Sequence, residues 1–154
     1  MKPATAAVLT VAALFVGCGD DGDDGDGFSP VVSEPLSKVE FLRQADEICV
    51  STESRIEAAA DDLVTAKKDP APAEVERIAL EIVVPALESE VAAIGALGAP
   101  EGDEEQVKAI LDATKAGIAE VEADPQALLD GAPDSLRRAE TLASQYGARQ
   151  CGIR

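Results

Sequence analysis

From Ser37 to Tyr146 the apolar residues of this chain recur at steps of three and four, and that spacing restricts the fold more than any other feature. A stripe that repeats every 3.6 residues lies on one face of a helix, whereas a half-buried strand alternates with period two; no such alternation competes here. Ser37-Lys38-Val39-Glu40 has the form of a capping box. The Ser37 hydroxyl is placed to accept the Glu40 backbone N–H while the Glu40 carboxylate reaches back. Leu36 and Phe41 occupy the N′ and N4 places of a hydrophobic staple, so the start is marked twice. Leu42, Ala45, Cys49, Thr52, Ile56, Ala59 and Leu63 form the first stripe, with Cys49 facing the core. Lys67-Lys68, cations at the negative end of the dipole, and then Pro70 mark its end.

A second helix is predicted from Pro72–Glu74, with Val75, Ile78, Ala79, Ile82, Val83, Ala86, Leu87, Val91, Ile94 and Leu97 inward. Its middle, Ile78–Leu87, is apolar nearly all round except for Glu81, which predicts deep burial. Pro85 removes a ladder donor and crowds the carbonyl of Glu81, so a kink or break is expected there. Gly98 and Pro100 end this helix. Asp103 with Gln106 makes a second box-like start for a third stripe, Val107, Ile110, Leu111, Thr114, Gly117, Ile118 and Val121. A short helical turn over 126–130 follows Asp124-Pro125, and Pro133–Tyr146 supplies a fourth helix with Gly147 as its C′ residue. Short connections between four helices predict an all-α fold, an antiparallel four-helix bundle over residues 36–154.

The N-terminal part obeys different rules. Lys2 precedes Ala4–Val16, a run of about 13 apolar or small residues, the size of a signal-peptide core. Spanning a bilayer takes about 20 such residues, and this run stops at Gly17-Cys18 before aspartates at 20, 21, 23, 24 and 26, which lose too much hydration inside a membrane. Leu14-Phe15-Val16-Gly17-Cys18 resembles the lipobox of bacterial lipoproteins, with the leucine displaced by one place. The resemblance implies a signal peptide over 1–17, cleavage before Cys18, acylation of the Cys18 thiol, and attachment to the outer face of the cell membrane. More than one acyl chain is needed for durable anchoring. Residues 18–35 then read as the lipidated cysteine and a disordered glycine–aspartate tether, because glycine frees the backbone and like charges extend it. An EF-hand register starting at Asp23 puts Glu34 at the twelfth place but Gly25, Gly27 and Phe28 at the third, fifth and sixth, so the calcium pattern fails.

With Cys18 committed to lipid, Cys49 and Cys151 remain as an even pair outside the reducing cytoplasm, which predicts a disulfide. The competing metal site lacks ligands, since the chain has no histidine. The same absence excludes serine–histidine and cysteine–histidine catalysis. No P-loop or dinucleotide-binding turn is present: Gly22, Gly25 and Gly27 follow no strand. Asp61-Asp62 and Asp103-Glu104-Glu105 sit on helix surfaces or first turns, where water and the helix dipole account for them. The net charge is −17, one unit more negative after cleavage, and repels phosphate backbones, so nucleic acid is not an expected partner. Arg137, Arg138, Arg149 and Arg154 are expected to neutralise the acidic faces of neighbouring helices. Phe28, Phe41 and Tyr146 are the only aromatics after Cys18, too few for stacking platforms.

The lipobox, the acidic tether, Phe41–Cys49 (FLRQADEIC), Val84–Leu87 (VPAL) and Tyr146–Gly152 (YGARQCG) together resemble a group of small predicted lipoproteins of actinobacteria. The resemblance covers essentially the whole chain and implies architecture and location, with no activity attached. The expected function is accordingly a membrane-anchored, non-enzymatic binding or interaction module without cofactor or metal. A carrier or sensor of a small apolar ligand, housed near Pro85, and a structural envelope protein are the competing classes.

Overall fold

The first helix begins where its capping box stands. In the computed structural model, which describes residues 35–66 and 70–152 (backbone only at 62–66 and 152), α1 runs over Lys38–Ala66. The Ser37 hydroxyl accepts the Glu40 N–H at 3.3 Å, as the box requires. The other half of the box differs from expectation: the Glu40 carboxylate accepts from the Arg43 guanidinium at 2.5 and 3.0 Å and from the Gln44 side-chain amide at 2.6 Å. A bidentate, charge-assisted pair with arginine is stronger than a bond to a neutral backbone N–H, so the carboxylate turns forward along the helix. Arg43, then Gln44, hold its pKa down to about 2. Leu36 packs against the core cluster that contains Phe41, at the end of the helix where the staple places both.

The second rod is uninterrupted. α2 (Pro72–Ile78) leads into a π-helical turn, Ala79–Val83, and then into α3 (Val84–Ala96). Within the turn the Val84 N–H donates to the Ala79 carbonyl five residues back. The turn stands immediately before Pro85, where a kink or break was expected. A regular α-helix would leave the Glu81 carbonyl without its donor and press the pyrrolidine ring against it, and a widened turn absorbs that misfit without ending the rod. α4 (Glu104–Ala123) and α5 (Asp134–Tyr146) follow, with 3-10 turns at Pro125–Leu129 and Gln150–Gly152. Among the described residues there is no strand.

Two apolar clusters fix the directions of the rods. At one end lie Phe41, Ala45 and Cys49 of α1, Ile94 of α3, Val107 of α4, and Ala143, Ala148 and Cys151. The other unites Ala59, Ile78, Ala79, Val83, Val84, Leu87, Ile118, Val121 and Leu136. Phe41 therefore shares an end with Ile94 and Ala59 with Ile78, so the first two rods are antiparallel, and the same comparison carries through α4 and α5. The result is an up-down-up-down bundle.

The flanks of the bundle are closed in different ways. α4 and α5 approach closely because position 117 is glycine: a Cβ there would lie 2.4 Å from Leu136 Cγ and Cδ2 and 2.9 Å from the Leu136 nitrogen. α1 and α5, by contrast, bring no described Cα pair within 8 Å, and the turn Gln150–Gly152 lies against both. The chain reaches that place through a Schellman ending of α5. Gly147, at φ 111°, donates to the Ser144 carbonyl, and the Ala148 N–H donates to Ala143 at 2.9 Å. The Gln150 N–H then donates to the Asp46 carboxylate at 2.9 Å, and Cys151 is bridged to Cys49 with sulfurs 2.06 Å apart.

Candidate functional site

Where the four rods and the C-terminal turn converge they leave a cavity of about 30 Å3. Phe41 and Ala45 come from α1, Val91 and Ile94 from α3, Val107, Ile110 and Leu111 from α4, Ala139 and Ala143 from α5, and Ala148 and Cys151 from the tail. Against this apolar lining stand Glu90 of α3, Glu140 of α5, Thr114 of α4 and Tyr146. Glu90 is 4% exposed, and its Oε2, like Oε1 of Glu140, is shut off from solvent. The Thr114 hydroxyl donates to the Ile110 carbonyl at 3.1 Å, the ordinary back-bond of a threonine within a helix. The volume suits one or two waters and falls an order of magnitude below the several hundred Å3 of ordinary small-molecule sites.

One end of this region is clamped by a polar group drawn from three elements. The Tyr146 hydroxyl donates to Asp103 Oδ2 at 2.9 Å, and Lys38 Nζ reaches the same oxygen at 3.2 Å. Lys38 Nζ also lies 4.1 Å above the Tyr146 ring, and that ring meets Phe41 edge-on at 6.1 Å. The hydroxyl, and then Lys38, hold the Asp103 carboxyl below its usual range. Burial, and then the Asp103 carboxylate, push the Tyr146 phenol well above its usual value. Asp103 stands at the N-cap of α4 but makes no side-chain capping bond, which corrects the box read with Gln106. An exposed backbone N–H can be served by water, whereas a half-buried phenol needs a fixed acceptor, and the phenol takes the carboxylate.

The sequence-based site residues are placed as follows. Cys49 and Cys151 are brought together, 1% and 8% exposed, and Cys151 contributes to the wall of the cavity. Cys18, the signal segment and the tether as far as residue 34 lie outside the described residues, as does Arg154. Arg137 engages Asp134 and the Ala132 carbonyl, both beside it in the chain, instead of an acidic face on a neighbouring helix. Glu104 accepts from the Gly102 N–H at 3.1 Å, and Asp61 is exposed. Around Pro85 itself the interior is filled: Val83, Val84, Ala86 and Leu87 are buried, and the cavity lies further along, at the level of Glu90–Ile94. Among the described residues no group of three or more histidine, cysteine, aspartate or glutamate side chains is arranged to hold a metal ion, and no helix is long and apolar enough to cross a membrane.

Glu90, like Glu140, is a member of this site that sequence reading missed. Its position carried a signal, because Val83, Leu87, Glu90 and Ile94 follow one another at steps of four, three and four. Set against protein-family models, curated proteins and solved structures, the chain matches none.

Proposed function

We propose that this protein is a lipoprotein held by acylated Cys18 on the extracytoplasmic face of the cell membrane, with its helical domain serving as a non-enzymatic binding or interaction module. The observation that carries the reading is the Cys49–Cys151 bridge between the first helix and the C-terminal turn. A pair of cysteines joined in this way is at home in an oxidising compartment, which is where the lipobox-like Leu14–Cys18 segment would deliver the chain. The acidic stretch between Cys18 and the first helix suits a spacer that lifts a folded unit off a surface. A cavity of about 30 Å3 favours recognition on the outside of the bundle over carriage of an apolar ligand within it.

The test is the intact mass of the protein extracted from its own membranes and kept non-reduced under native conditions. The expected mass is that of residues 18–154 plus acyl groups, less two hydrogens. An unacylated mass with free thiols overturns the reading. Co-purifying mass of small-molecule size would instead support the carrier class.

A further inference from the structure

We draw no further inference here: the strongest candidate, the cavity that Glu90 of α3 and Glu140 of α5 line beside the Cys49–Cys151 bridge, belongs to the site already described, and two carboxylates facing a space the size of one or two waters define no class of ligand beyond it.

Discussion

At the scale of single residues, the close approach of α4 and α5 depends on a hydrogen atom. Gly117 faces Leu136, and any Cβ at 117 meets the leucine side chain and its backbone nitrogen together. A side chain can swing away but a backbone nitrogen moves only with its helix, so Gly117→Ala must push α4 and α5 apart. We expect it to destabilise the fold by about 1–3 kcal/mol, the usual cost of overpacking, despite the better helix propensity of alanine. Chemical denaturation measures this, and an unchanged midpoint would mean that the two helices do not meet there. The Asp103–Tyr146 bond makes a second prediction, with a sign at each end of the pH scale. The Asp103 pKa is lowered by folding, so its contribution is full above about pH 4 and is lost as pH falls through the lowered value. The Tyr146 pKa is raised, so its contribution is full below about pH 10 and is lost as pH rises beyond that. Tyr146→Phe keeps the ring against Phe41 and removes the hydroxyl. Its Tm is expected to fall below that of the wild type by the widest margin between about pH 5 and 9 and to converge with it on both sides. Parallel Tm–pH curves would show that the bond is not what Tyr146 contributes. Neither contact was legible in the sequence: Gly117 reads as one small residue in a stripe, and Asp103 reads as a local cap although its partner lies 43 residues away. Glu90 was hidden for a different reason, since charge argues outward even where periodicity argues inward.

At the scale of elements, most of what local chemistry sets was readable. Ser37, the Leu36–Phe41 staple, Gly98 and Gly147 mark helix ends close to where they fall, because caps and left-handed glycines act within a few residues. The two box carboxylates went astray because each had a better partner than a backbone N–H, Arg43 for Glu40 and Tyr146 for Asp103. The expectation at Pro85 was of the right kind, since a proline inside an apolar helix must disturb it, but the choice between break, kink and widened turn depends on packing. Ala79 and Leu87, on either side of the misfit, are almost fully buried in the same cluster, and ending the rod between them would expose both. Pro85→Ala therefore tests which side controls the turn. If packing fixes the phase, the variant keeps the π turn, gains a backbone donor and rises in stability by about 1 kcal/mol. A fall in Tm would show instead that the proline holds the two halves in register.

At the scale of the whole molecule, what is distinctive is how the fourth side of the bundle is shut. Three helix pairs close by direct packing, whereas the α1 and α5 backbones stand apart, meeting through Lys38 and Phe41 against Tyr146, and the C-terminal turn fills the rest of the seam. The pairing of Cys49 with Cys151 could be read from cysteine arithmetic, yet the reason for it could not, because a seam between the first and last helices is a property of the assembled bundle. With the cavity beside it and Ala45, Ala143 and Ala148 among the buried residues, this side is held in part by the covalent link. The cysteines are 102 residues apart, so the bridge removes much of the freedom of the unfolded chain, worth up to about 4–5 kcal/mol by loop-closure entropy. Cys49→Ser should accordingly melt well below the wild type under oxidising conditions, by an amount that reduction of the wild type reproduces. Cys151→Ser should match it, and the double variant should be no worse than either, since all three lose the same constraint. If Cys49→Ser alone were the more damaging, the cost would lie in packing a hydroxyl at a fully buried place on α1. Coincidence of the two single variants would locate it in the seam.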